Sequence, residues 1–535
     1  MPARFWKFLL LLAPISSFAQ VDTTKVIDEL FSGYSNATPG ASILVARGSK
    51  ILYHKAFGLA DLEHNVPNTT ETIFECGSVS KQFTATAILV LAREGKLSLE
   101  DDVRKYIPEL PVYDAPITIQ HLLNHTSGLK DWGSVGALTG WPRTTRAYTN
   151  ALAIHIITLQ KRTNFTPGTQ YSYSNSNYTL LTEIVERVSK KTLARFTDSV
   201  FFKPLGMTST KWRDNFREIL RGRAVAYSTS SDKYQQMMPF ENVHGHGGLL
   251  TTTQDLLKWN LLLANPVFLG ERVDRWRKKQ GVLKNGKRLG YASGININDF
   301  NGQTEISHSG ATAGYRGWLA FYPKQKLSII FLSNDSRFDI GKYAQGIAKL
   351  FLGGPEEKPQ KEIKYVPLAS NEQQKWSGFY RQKGDANYFS LNVENGKMIS
   401  DGTEVKAIHS DTLRLNSWVK LTWKKNDLLT INGAGDTSTY KRVPPPDLSA
   451  TNLKSLVGSY YSEEAETTFK ILADGTAIYY WRDPNTKEKL KPVFKDAFVN
   501  EDYWLLEFLR DKKNQITGAT ISVDRAQRVP FKKMN

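Results

Sequence analysis

The stretch Gly77-Ser78-Val79-Ser80-Lys81-Gln82-Phe83-Thr84-Ala85-Thr86-Ala87-Ile88-Leu89-Val90-Leu91-Ala92-Arg93-Glu94-Gly95 decides how the rest of the chain is read. From Ala85 to Ala92 it is apolar on nearly every side, as in a helix enclosed by a core, and Gly95 is a C-terminal stop. The spacing predicts a helix over 78–94. Ser78 and Lys81 stand three apart at its start, so hydroxyl and amine share one face within hydrogen-bonding reach. A serine hydroxyl is a poor nucleophile at neutral pH, whereas a lysine stripped of water can lose its proton and accept one from the hydroxyl. A helix start adds a field that favours negative charge and leaves N–H groups to bind an oxyanion. Ser-x-x-Lys alone is short, and an ordinary helix with a serine cap also satisfies it.

Outward from this helix, residues 23–34 read as a short helix, and 41–46 and 50–58 as strands joined by a turn at Gly48-Ser49. A loop-rich and helical middle runs to about Lys258. Strand-like runs at 304–307, 317–322 and 327–332 then precede a helix at 340–352. Hairpin, helices, strands and a closing helix predict an α/β (α+β) unit over 20–355, with an antiparallel sheet flanked by helices. Residues 356–370 are rich in proline and charge, as in a linker, and Val443-Pro444-Pro445-Pro446 is a second break. The flanked units, 371–445 and 446–535, resemble each other. Trp376-Ser377-Gly378-Phe379-Tyr380 and Leu456-Val457-Gly458-Ser459-Tyr460 lie 80 residues apart, and alternating segments follow each, with turn signals at Asn395-Gly396 and Asp474-Gly475. Two copies of an all-β module, small barrels or sandwiches, are expected.

Composition narrows the function classes. Across 535 residues, 40% hydrophobic and 23% charged content supports packed cores and excludes disorder as the main state. The formal charge of +18 favours anionic partners in general. Its lysines and arginines form no long block and lack interleaved aromatics, so no nucleic-acid partner is expected. One cysteine excludes an intrachain disulfide. Residues 1–19 combine Arg4 and Lys7, an apolar run from Phe8 to Ile15 and a Ser17-Phe18-Ala19 ending, the pattern of a cleaved signal peptide. The run is too short to span a bilayer and no later segment is long enough, so an exported, periplasmic or extracellular protein without a membrane span is expected. Oligomeric state is not legible.

Two further motifs join the first. Tyr173-Ser174-Asn175 lies in Pro167-Gly168-Thr169-Gln170-Tyr171-Ser172-Tyr173-Ser174-Asn175-Ser176-Asn177-Tyr178; in an extended stretch Tyr173 and Asn175 would face the same cleft. A phenol beside an ammonium can titrate low enough to relay protons, and an amide can hold the lysine and a substrate carbonyl. His308-Ser309-Gly310 closes a strand-like run, where a small residue lets substrate lie against a sheet edge.

With these motifs in this order, the chain resembles the serine β-lactamase and penicillin-binding-protein superfamily, in its class C-like branch of esterases, D-aminopeptidases and DD-peptidases. Leu122-Leu123-Asn124-His125-Thr126-Ser127-Gly128-Leu129 and Gly245-His246-Gly247-Gly248-Leu249-Leu250-Thr251-Thr252 also fit, and the likeness covers about 27–352. The resemblance implies that Ser78 is the acylated nucleophile, Lys81 its base and Tyr173 a proton relay. It implies further that Asn175 orients Lys81 and substrate, and that the N–H groups of Ser78 and Ala311 form the oxyanion hole, with His308, Ser309 and Gly310 lining the substrate site. No cofactor and no metal are implied.

The third motif departs from the Lys-Thr-Gly form. A lysine there would keep its charge and attract a carboxylate, while a histidine with a pKa near ~6.5 is mostly neutral at pH 7. Small esters and D-amino-acid amides or peptides, including wall-derived ones, are therefore expected ahead of β-lactams. A penicillin-recognising DD-peptidase or β-lactamase is the first alternative. A non-catalytic peptidoglycan- or peptide-binding protein of the same fold is the second. His244 and His246 lack a third ligand at a recognisable spacing and read as loop residues. His125 reads as a structural hydrogen-bonding group, Cys76 as a buried packing residue, and Asp483 as a turn residue, with binding of a substrate ammonium its less favoured role.

Overall fold

The computed structural model describes residues 22–141, 147–230, 232–354, 363–416, 418–424, 427–432, 437–475, 477–482 and 487–534. The signal-like segment 1–19, the first half of 356–370 and Asp483 lie outside the described residues.

A six-stranded antiparallel sheet organises the N-terminal unit, in the order Asn296–Phe300, Gln303–Thr312, Tyr315–Tyr322, Leu327–Ser333, Ala41–Arg47, Lys50–Phe57. The chain's first hairpin thus pairs with its last strand, Ala41 opposite Ser333 and Arg47 opposite Leu327. Side chains alternate between the faces of a strand. Ile43 and Val45 pack with Ile27, Tyr343 and Ile347 of the helices Thr23–Leu30 and Ile340–Leu352. Leu44 and Ala46 join the other core, with Val79, Phe83, Leu319 and Ile330. Coverage on both faces leaves every residue of Leu327–Ser333 buried.

Two details differ from the sequence expectation. The strand expected at 304–307 runs from Gln303 to Thr312, so His308–Ala311 lies within it and not after its end. Asn296–Phe300 pairs only as far as Ser307, which leaves His308–Thr312 as an edge on that side. The helix expected from Ser78 begins as a 3₁₀ turn, Gly77–Ser80, and becomes α-helical over Lys81–Arg93.

Each C-terminal unit is a nine-stranded sheet, and the two have the same strand order. Their first strand, Gly378–Gln382 or Gly458–Ser462, pairs with the last, Thr437–Val443 or Ala526–Lys533, which nearly closes a barrel. The repeated motif has a physical purpose. Tyr380 donates to the Trp376 carbonyl at 2.7 Å and Tyr460 to the Leu456 carbonyl at 2.6 Å, tying each strand to the short helix before it. A cavity of about 1000 Å³ lies between the modules, beside Phe379, Tyr388 and Trp504.

The second module is seated on the N-terminal unit. Val135 and Leu138, on and just after the helix Trp132–Ala137, enter its core beside Leu453, Tyr480 and Val529. Lys130 meets Glu464 at 3.2 Å with both side chains buried, and Gln160 donates to the Glu464 carbonyl at 2.7 Å.

Candidate active site

Between residues 72 and 91, Ser78 alone is not fully buried. Its exposure comes from the 3₁₀ turn. With three residues per turn, side chains at i and i+3 eclipse, and Lys81 lies directly behind the serine. Lys81 Nζ donates to Ser78 Oγ at 3.1 Å, to Asn175 Oδ1 at 2.9 Å and to the His246 carbonyl at 2.5 Å. These three oxygens fix the amine, whose side chain is wholly enclosed.

Glycines bring the turn against the sheet. Gly77 has φ +53, and a Cβ there would stand 2.6 Å from the Ala311 nitrogen. A Cβ on Gly310 would stand 2.0 Å from the Cys76 carbonyl oxygen and 3.1 Å from the Ser78 nitrogen. The Ser78 and Ala311 amides are therefore neighbours, one on the turn and one on the exposed strand edge. The small residue of the third motif makes room for the Cys76 backbone.

Tyr173 and Asn175 approach from another direction. Asn175 does not sit in an extended stretch; it opens the helix Asn175–Ser189, and only Tyr173 and Ser174 precede that helix. The Tyr173 ring centre lies 4.8 Å from Lys81 Nζ. Its hydroxyl is buried without a partner at hydrogen-bonding geometry, although the Ser78 side chain is near enough to favour ionisation. Burial outweighs that effect and holds the phenol above its ordinary range. The low-titrating phenol expected from the sequence is not found, because the loss of water around the ring dominates.

His308 is buried and its pKa is driven down to about 3, first by burial and then by the Lys81 charge. Its Nδ1 donates to the Ser309 carbonyl at 2.6 Å, and Tyr291 donates to its Nε2 at 3.0 Å. A carbonyl accepts only, so the proton is on Nδ1 and the neutral ring offers Nε2 as an acceptor. His125 is likewise held well below the usual range by burial. Its Nδ1 accepts from the Ser174 N–H at 3.2 Å, and its ring lies 4.2 Å from that of Tyr173.

Three neighbours were not singled out from the sequence. Asp131 accepts the Asn175 N–H at 2.6 Å and caps Trp132–Ala137 through Gly133 and Ser134. Tyr291 orients His308. Arg525, from the second module, lies 5.8 Å from the Tyr173 ring centre. An aspartate just before a helical run is a capping signal, but nothing local marks the other two.

The remaining candidates have quieter roles. His244 Nδ1 meets the Asn242 carbonyl at 2.9 Å, and His246 Nδ1 meets Thr179 Oγ1 at 3.3 Å, so the two rings do not converge. Cys76 is buried beside Ser80, and burial pushes its thiol up to about 12. Among the described residues, Asp61, Glu63 and His64 bring potential metal ligands together near the surface, where His64 already pairs with Asp61 at 2.8 Å.

Residues 27–348 match the family model described as Beta-lactamase. Penicillin-binding protein 4* of Bacillus subtilis is 29% identical over 338 residues, which cover 60% of this chain and 74% of that protein. A D-aminopeptidase of Brucella anthropi is 24% identical over 530 residues, covering 93% of this chain and 95% of that one. The octameric penicillin-binding protein homologue from Pyrococcus abyssi shares the fold, with a TM-score of 0.56 at 23% identity over 87% of this chain and 99% of that one. No helix among the described residues is long and apolar enough to cross a membrane.

Proposed function

This chain belongs to the beta-lactamase family of serine hydrolases, and from that premise we propose that it hydrolyses small esters or D-amino-acid amides and peptides through an acyl-enzyme on Ser78. The observation that carries this reading is the pairing of one surface-reaching serine with a fully enclosed lysine 3.1 Å behind it.

With Lys81 in its neutral amine form, its lone pair turned to the serine, the proton of Ser78 Oγ passes to Lys81 Nζ as that oxygen attacks the substrate carbonyl. The oxyanion settles between the Ser78 and Ala311 N–H groups, where one fixed donor is worth roughly 3–4 kcal/mol. When the tetrahedral adduct collapses, the neutral Tyr173 phenol protonates the departing oxygen or nitrogen and recovers a proton from Lys81. In the second half, water gives up its proton through the same groups and attacks the acyl carbonyl, and Ser78 leaves with a proton. Asn175 keeps the lysine aimed at the serine. A phenol held above its ordinary range suits this role, because it keeps its proton until the leaving group needs it.

His308 supports the choice of substrate. A neutral ring supplies no standing cation on the strand edge, the position a lysine would hold in the Lys-Thr-Gly form. Similarity to a D-aminopeptidase along nearly the whole chain, modules included, points the same way. The 1–19 pattern supports export, which would give access to wall-derived substrates.

The test is a panel of nitrophenyl esters, D-alanine nitroanilide and nitrocefin, each run against wild type and Ser78→Ala. Ser78-dependent turnover of an ester or D-alanyl anilide, faster than that of nitrocefin, supports the reading. Nitrocefin as the best substrate favours the β-lactamase alternative, and a covalent penicillin adduct without turnover favours a receptor.

A further inference from the structure

The strand pair Ile516–Val523 and Ala526–Lys533 of the second module closes at Val523 and Ala526, leaving Asp524 and Arg525 as a two-residue tip. Asp524 takes φ +41, a conformation aspartate tolerates in turns. The tip is fastened to the N-terminal unit on three sides. Asp131 and Asn164 donate to the Arg525 carbonyl at 3.2 and 3.0 Å, and Gln527 donates its N–H to Asn164 Oδ1 at 2.9 Å. Ser134 Oγ donates to Asp524 Oδ2 at 3.3 Å. These contacts hold the tip against the N-terminal unit, with the Arg525 guanidinium 5.8 Å from the Tyr173 ring centre.

The Arg525 guanidinium lies on the Tyr173 ring, and its side chain keeps 33% exposure. Nε donates to Asp524 at 2.8 Å, and Nη1 is 3.8 Å from Asp131. Each carboxylate is shared, one with solvent and one with the backbone. Asp524 is 60% exposed, and Asp131 already serves three backbone N–H groups. A planar, partly exposed guanidinium is well matched to bidentate carboxylate binding. His308, whose ring centre lies 6.2 Å from that of Tyr173, is held neutral by burial and adds no charge.

We propose that Arg525 is the specificity-determining cation of this site, supplied by the C-terminal module, and that it takes a carboxylate carried by the departing half of the substrate. The side follows from Tyr173, which protonates the leaving group and lies against Arg525. The proposal rests on the acyl-enzyme reading of Ser78.

Full-length protein is tested with D-alanyl-D-alanine and D-alanyl-D-alaninamide, which differ only in the charge of the departing group. Wild type is expected to prefer the acid by roughly 10- to 100-fold in kcat/KM, as for a hydrogen bond to a charged group. Arg525→Gln is expected to bring that ratio close to one, and Arg525→Lys to keep part of it. In parallel, labelling of Ser78 by a fluorophosphonate is followed by mass spectrometry, with D-alanine or D-alaninamide as competitor. D-alanine alone should protect wild type, and neither should protect Arg525→Gln. Equal rates for acid and amide in wild type, a ratio that survives Arg525→Gln, or equal protection by both competitors overturns the proposal. Absence of any Ser78 label would instead sink the acyl-enzyme reading. A shifted pH profile for the amide in Arg525→Gln, with the ratio intact, would make Arg525 a tuner of Tyr173 and also overturn it.

Discussion

The Asp131 carboxylate accepts the backbone N–H of Asn175 at 2.6 Å, and so fixes the first residue of the helix whose side chain holds Lys81. The catalytic amine is thus positioned through a carboxylate that never touches it. Asp131→Ala removes a buried acceptor of three N–H groups and should cost about 1–3 kcal/mol of stability. With a nitrophenyl ester, kcat is expected to fall by more than tenfold while KM changes less, because Lys81 loses its aim. Steady-state kinetics with a nitrophenyl ester, alongside a melting curve, checks both.

Gly310→Ala would drive a methyl group into the Cys76 carbonyl, which stands 2.0 Å from the ideal Cβ position. Backbone cannot yield as a flexible side chain does, so the turn bearing Ser78 must move. A displacement near 1 Å typically costs about 100-fold in rate. Loss of that order, in protein with native circular dichroism, is the expected outcome.

His308 links the site to acid stability. Its folded pKa of about 3 lies below the unfolded value near ~6.5, so between these limits the unfolded chain binds a proton that the folded chain refuses. Stability therefore rises with pH through this window and is lost as pH falls from about 6.5 towards 3. The slope from this one group is about 1.4 kcal/mol per pH unit. His308→Gln should flatten urea-measured stability against pH by about that slope, leaving the remainder to other groups such as His125.

Lys130 and Glu464 form a buried ion pair between the N-terminal unit and the second module. Breaking one partner leaves a charge without its partner, at about 3–5 kcal/mol, whereas replacing both with apolar residues is often neutral. Lys130→Met should accordingly destabilise the docked module far more than Lys130→Met with Glu464→Leu. Protease sensitivity of the second module and the chain's melting temperature would report the difference.

What was legible in the sequence is what depends on short separations. Ser78 and Lys81 meet because they are three apart on one turn, and spacing alone supplies that. The Gly-x-Tyr repeat was visible because each tyrosine bonds a carbonyl four residues back, so the requirement is local. The strand's end at Thr312 is not legible in the sequence because Gly310 and Ala311 break the alternation of large residues, although the pairing with Tyr315–Tyr322 continues through them. The helical start at Asn175 was hidden because its first turn is anchored by Asp131, a residue 44 positions earlier. Arg525 could not be read at all. Its place beside Tyr173 depends on a hairpin tip, a docked module and Asn164, none of which leaves a mark near Arg525 in the chain. The phenol's titration is not legible in the motif for a related reason, since burial is set by the whole fold and not by sequence neighbours.

The most direct measurement is the intact mass of the protein after brief exposure to a slowly turned over activated ester, followed by peptide mapping. A single acyl group on the peptide containing Ser78, absent from Ser78→Ala and formed far more slowly in Lys81→Met, is the predicted result. Ester turnover that persists in Ser78→Ala, or an acyl group carried on another residue, would contradict the central claim.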